Sequence, residues 1–217
     1  MPECTAQTLL LDGQAGAIET RIDCPQSDSS PLIIAIICHP HPLHGGSMDN
    51  KVVYMLNSAL KNAGAITARF NFRGVGKSAG SFDHGIGETE DLYQVTEYLQ
   101  QAYPQAQLWL AGFSFGSYVA FRAHFALKPQ RLLLVAPPVQ RFAFAETGTG
   151  QLLKQPTLVI QGGKDDVVDP ESVKTWIDTQ QRQSNALRDI LWLEEAGHFF
   201  HGLLIPLRES VQQWLEK

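Results

Sequence analysis

A chain of 217 residues with 44% hydrophobic and 18% charged residues has the length and composition to bury a sizeable core, which excludes a disordered or fibrous chain. Its 17 Lys and Arg against 22 Asp and Glu give a net charge of −5. They form no basic run, so the clustered cations that bind a phosphate backbone are missing and nucleic acid is not an expected partner.

The N-terminus, Met1 to Leu11, lacks a charged start followed by a long apolar stretch and does not read as a signal peptide. Thr8–Leu11 and Ala17–Asp23 read as two short strands of a hairpin around a Gly-containing turn. The Ser- and Pro-rich stretch Pro25–Pro31 reads as a surface turn. Leu32–Cys38 is the longest apolar run, far too short to span a membrane and suited to a strand buried on both faces. With no membrane or export signal, a cytoplasmic location is the default. Cys4, Cys24 and Cys38 are odd in number and lack C-x-x-C spacing, so neither a disulfide framework nor a zinc site is expected, and Cys38 reads as a reduced core thiol.

Ser47 can cap a helix over Met48–Ala63, with Gly64 ending it, and Ile66–Phe72 is the next strand. Glu88, Glu90 and Asp91 place negative charge at a helix start, where the dipole favours it. Leu92, Val95, Leu99 and Tyr103 continue that helix at its spacing until Pro104 stops it. Leu108–Phe113 is a strand, followed by a helix from about Ser114 to Leu127. Leu132–Ala136 and Thr157–Gln161 are strands, Pro170 opens a helix towards Arg182, Ile190–Leu193 is the last strand and Leu203–Leu215 the last helix. Strands alternating with helices, with no internal repeat, predict a single domain over 1–217 built on a largely parallel sheet with helices on both faces.

Gly112-Phe113-Ser114-Phe115-Gly116 matches G-x-S-x-G in the strand–turn–helix setting that the motif requires. A serine hydroxyl needs a general base, and the base needs an acid to orient it. Asp165 follows the strand Thr157–Gln161 in a tight turn, with Asp166 as its competitor. His198 follows the strand Ile190–Leu193, where Gly197 frees the loop to deliver it, with His201 as the alternative base.

Together these segments resemble the α/β-hydrolase family. Gly162-x-x-Asp165-x-Val167-Val168 is similar to its acid motif and favours Asp165 over Asp166; Gly197-His198-Phe199 is similar to its histidine loop. Arg73-Gly74-Val75-Gly76-Lys77-Ser78 resembles its R-G-x-G-x-S loop, and His39-Pro40-His41-Pro42 with Gly45-Gly46 resembles small bacterial dienelactone-hydrolase-like enzymes with an H-P-H-P loop. The resemblance implies an α/β-hydrolase fold, with a mostly parallel central sheet of about eight strands and no separate cap domain, because only Pro137–Pro156 separates the strands that flank a cap elsewhere. It implies Ser114, Asp165 and His198 as nucleophile, acid and base. One oxyanion donor would be the N–H of Phe115; the second would come from His41, with Leu43 as second choice, since Pro40 and Pro42 have no N–H.

Rival readings stay open. Gly76-Lys77-Ser78 ends like a phosphate-binding loop, although Asn71 stands where that motif needs Gly. His39, His41 and His44 have the residue type for zinc, but no downstream carboxylate joins them. His84 reads as a loop residue, His124 as a helix residue without a role in chemistry, and Trp109, Trp176, Trp192 and Trp214 as core or groove fillers. Phe142 and Phe144 are candidates to line an acyl pocket. The expected activity is hydrolysis of small ester or thioester substrates at an open, shallow site, without metal or organic cofactor and without a membrane or nucleic-acid partner. The alternatives are a peptidase or amidase acting on short peptides, and a non-catalytic binding module on the same fold. Oligomeric state is not readable.

Overall fold

A computed structural model describes residues 4–25, 32–142, 144, 153–183 and 189–217. The turn expected within Pro25–Pro31 lies almost wholly outside the described residues, as does much of Pro137–Pro156. The strands are β1 (Gln7–Gly13), β2 (Gly16–Asp23), β3 (Ile33–Cys38), β4 (Ala65–Phe70), β5 (Gln107–Phe113), β6 (Arg131–Val135), β7 (Thr157–Gly162) and β8 (Asp189–Leu193). They form one eight-stranded sheet in the order β1-β2-β4-β3-β5-β6-β7-β8. The β1–β2 hairpin joins antiparallel to β4, and every pairing from β4 to β8 is parallel. This is the α/β-hydrolase architecture, and the connection from β6 to β7 is too short for a separate cap domain.

Alternation along the strands decides which face each side chain serves. Ile34, Ile36 and Leu110 point to one layer, packed by α2 (Ile86–Ala102), α3 (Phe115–Leu127) and α4 (Pro170–Gln183). Ile33, Ala35, Ile37 and Ala111 point to the other, packed by α1 (Lys51–Asn62) and α5 (Leu204–Leu215). The central strands are buried on both sides, which is why they read as continuous apolar runs. Trp109 and Trp214 belong to the second layer, with the Arg131 guanidinium over both rings. No helix among the described residues is long and apolar enough to cross a membrane.

Two expectations need correction. The first long helix is capped by Asn50 rather than Ser47: the Asn50 side-chain oxygen accepts from Val52 N–H at 2.9 Å, and the helix begins at Lys51. Met48 lies in the loop before it, its N–H held by Asn71 Oδ1 at 2.9 Å. The cysteines are also not all free. Cys4 and Cys24 form a disulfide, and Cys38 is the buried free thiol, its pKa raised by burial. The hairpin explains the pair: its antiparallel register sets Gln7 against Ile22 and so carries the chain before β1 alongside the chain after β2. Spacing alone did not reveal this, since it depends on which strands pair.

Candidate active site

The chain leaves β5 and enters α3 through Ser114, whose φ of 54° and ψ of −121° are costly for a residue with a Cβ. Surrounding bonds hold it there. Ser114 N–H donates to Val135 O at 2.8 Å, and Ser114 O accepts from the N–H and hydroxyl of Ser117 at 2.9 and 2.6 Å. The flanking glycines are required by space. A Cβ on Gly112 would stand 2.2 Å from Gly116 O, and one on Gly116 would stand 2.2 Å from Cys38 O.

The loop after β8 brings His198 to this turn, with Nε2 at 3.1 Å from Ser114 Oγ. Phe200 anchors that loop fully inside the second layer, its N–H donating to Gly197 O. The turn after β7 is tied to the same loop by Lys164 N–H on Ala196 O at 2.9 Å. It places Asp165 Oδ2 2.9 Å from His198 Nδ1. Because a carboxylate only accepts, Nδ1 carries the proton and Nε2 is left to accept from the serine hydroxyl. Asp165 Oδ1 accepts from the N–H groups of Val167 and Val168, and Oδ2 also accepts from the Gln161 amide at 3.1 Å. Burial pushes the Asp165 pKa up, but the hydrogen bonds from His198 and from Val168 and Val167 outweigh it and hold the carboxyl below its ordinary value. Gln161, the polar end of an apolar strand, was missed in the sequence; that polarity was its only signal.

The competitors are elsewhere. Asp166 is exposed on the cleft wall, and His201 is exposed, against the Phe199 ring. The R-G-x-G-x-S loop is wired internally. Arg73 forms a forked ion pair with Asp91, Ser78 bridges Asn71 O and Glu19 N–H, and Lys77 N–H donates to the Glu19 carboxylate at 2.9 Å. A carboxylate thus occupies the N–H that a phosphate would need, and the nucleotide reading fails.

His39, His41 and His44 do not converge, and no group of metal-binding side chains forms among the described residues. His39 is fully buried: Nδ1–H donates to Pro40 O at 2.6 Å while Nε2 accepts Phe72 N–H at 3.0 Å, locking the loop after β3 onto the end of β4. His41 is partly buried among the rings of His44, Phe82 and Phe115. Its Nδ1 accepts Leu43 N–H at 3.2 Å, so Leu43, an expected second choice of oxyanion donor, has its N–H committed.

A cleft of about 450 Å³ opens over Ser114, lined by His41, Phe115, Phe142 and His198 among others. Its exposed rim residues His44, Arg141, Asp166 and Phe199 leave it open to solvent. Phe142 lines it as expected. Phe144 does not: at 4% exposure it stacks on Phe121 at 4.7 Å and meets Trp176 edge-on in the core beneath. Asn50 and Arg141, which also line the cleft, carry no motif that sequence reasoning could have used.

Two buried histidines away from Ser114 contribute to the acid sensitivity expected between pH 6.5 and 4. Burial lowers the pKa of His39 and of His124 from 6.5 to about 4, opposed in each by a bond to a backbone carbonyl, Pro40 O and Phe121 O. Between those values the unfolded chain binds protons that the folded chain does not, so stability falls as pH drops through that window. Thermal scans should show Tm falling from pH 6.5 towards pH 4. The His124→Gln variant should show a shallower fall; an unchanged slope would refute this origin.

Comparison with known proteins bears on the family and the fold. The family model described as serine aminopeptidase, S33, matches residues 41–144. A Xanthomonas campestris protein described as an α/β serine hydrolase without a lid is 42% identical, with 100% of this chain and 96% of that chain covered and a TM-score of 0.89. An α/β serine hydrolase homologue from Coxiella burnetii is 41% identical, covering 99% of this chain and 100% of that one, with a TM-score of 0.88. An uncharacterised protein of Rickettsia prowazekii is 35% identical over 95% of this chain and 87% of its own length.

Proposed function

This chain belongs to the α/β serine hydrolases, and on that premise we propose that it cleaves small esters or thioesters through an acyl-enzyme on Ser114. The observation that carries the reading is the unbroken chain from Ser114 Oγ to His198 Nε2 at 3.1 Å and from His198 Nδ1 to Asp165 Oδ2 at 2.9 Å, mounted on a strained serine. A binding module has no use for that strain.

The steps follow from proton positions. His198 Nε2 takes the Ser114 proton as Oγ attacks the substrate carbonyl, and the imidazolium then protonates the departing alcohol or thiol. Water, deprotonated by His198, adds to the acyl-enzyme and releases the acid, returning the proton to Ser114. Asp165 holds Nδ1–H throughout and balances the transient imidazolium charge. For the oxyanion, the N–H of Phe115 is favoured by its place at the start of α3, where the first N–H groups have no acceptor within the helix. The N–H of His41, held near by the His39 strut, is the second donor. Phe142 offers an apolar wall for the acyl group.

Peptidase activity on short peptides is the second reading. It is favoured by the Asp166 carboxylate on the cleft wall, which suits a free amine, and by the family model's description. As to location, the cytoplasmic expectation and the Cys4–Cys24 disulfide pull in opposite directions, since reducing compartments keep such pairs as thiols.

A fluorophosphonate probe tests the proposal. A single adduct at Ser114, lost in Ser114→Ala and in His198→Ala, is the expected result. A folded protein that takes no label would overturn it.

A further inference from the structure

Apart from the groups that handle the proton, the cleft's polar lining is mostly donors. The loop after β3 contributes His41 and His44, with ring centroids 4.6 Å apart. Phe82 then continues the row, 4.8 Å from His41 and 4.8 Å from His84. Arg141, after β6, lines the same cleft and comes near His41: its charge, after burial and with His44 and His84, contributes to holding the His41 pKa below its ordinary value. The Arg141 side chain has no ion-pair partner among the described residues. Asn50 spends its side-chain oxygen on the N–H groups of Val52 and Val53, so its amide nitrogen is left to donate. His41 accepts Leu43 N–H at Nδ1, so the neutral ring carries its proton on Nε2. Asp166, after β7, is the lining carboxylate outside the relay.

We infer that the cleft selects an acyl chain ending in a carboxylate, with Arg141 as the receiving charge and His41, His44 and Asn50 as flanking donors. The inference rests on the ester-hydrolase reading and names its substrate class. A guanidinium suits this task because its planar fork matches a carboxylate and keeps its charge at every working pH. At neutral pH the His41 ring donates without adding charge, which leaves recognition of the carboxylate's charge to Arg141. Phe142, 6.3 Å from the His41 ring, would pack the methylenes between carbonyl and carboxylate. A substrate carrying a cationic amine would meet Arg141 with like charge.

The test compares an aryl hexanoate with the aryl hemiadipate of the same leaving group, with shorter and longer hemiesters to find the reach. Expected is a kcat/KM roughly tenfold higher for the best hemiester, the size of one charge-assisted hydrogen bond. Arg141→Gln should erase that advantage by raising KM for the hemiester, so that the ratio of the two kcat/KM values falls to about one. Salt should weaken the wild-type preference, and free adipate should inhibit hexanoate hydrolysis competitively in the wild type but not in the variant. Equal loss on both esters, or a preference for an aminoacyl ester that Asp166→Asn removes, would overturn the inference while leaving a serine hydrolase. Cleavage of neither ester by protein that also takes no fluorophosphonate would sink both readings.

Discussion

Replacing Ser114 or His198 by alanine is expected to lower kcat on an activated ester by about 10⁴- to 10⁶-fold, with the double variant scarcely worse than either single one. The two groups share one proton, so losing either removes the same step. Asp165→Asn should fall by roughly 10⁴-fold, for a reason visible in its bonds. Asp165 Oδ1 accepts two backbone N–H groups, from Val167 and Val168. An asparagine must keep its oxygen there, which turns its NH₂ towards His198 Nδ1–H and the Gln161 amide. Donor would face donor, and the imidazole would escape by moving its proton to Nε2, the atom that must accept from Ser114. Asp166→Asn, at an exposed position with neither bond, should leave turnover of a neutral ester near the wild-type value. The measurement is steady-state kinetics on purified variants of confirmed fold. Comparable losses at 165 and 166 would remove the assignment of the acid.

Strand and helix order was legible because burial on two faces leaves unmistakable apolar runs, as in Ile33–Cys38, and because the elbow needs glycine on both sides of the serine. What stayed hidden depends on contacts between distant segments. Asn50 caps the helix in place of Ser47, and the loop before it is tied down by Asn71, from beyond β4, which accepts the Met48 N–H. Cys4 meets Cys24 only because β1 and β2 pair antiparallel in one register. Phe142 and Phe144 are two residues apart, yet one lines the cleft and the other fills the core beneath it, a division no composition rule supplies. Arg141 and Asn50 reach the cleft from loops whose sequences announce nothing.

The elbow glycines carry the second large effect. In Gly116→Ala the added carbon would stand 2.2 Å from Cys38 O and 2.5 Å from His39 O, both backbone atoms that cannot swing aside. Alanine ordinarily stabilises a helix by about 1 kcal/mol over glycine, so a sign reversal is itself diagnostic. Overpacking of this kind costs about 1–3 kcal/mol and sometimes more. The cost is expected at the upper end here, because relief requires the first turn of α3 to back away from the end of β3. That movement would carry Phe115 away from the His41 loop, and a displacement of about 1 Å at a reacting site costs on the order of 10²-fold in rate. Gly202→Ala separates the causes. Gly202 has a φ of +77° with nothing within 4 Å of an added Cβ, so it reports conformational strain alone, about 1 kcal/mol, with little change in kcat. Urea unfolding and kcat of the two variants should therefore diverge: Gly116→Ala loses both stability and turnover, Gly202→Ala a little stability only. A Gly116→Ala protein as stable and as active as wild type would mean that α3 does not press on the end of β3 as closely as these distances require.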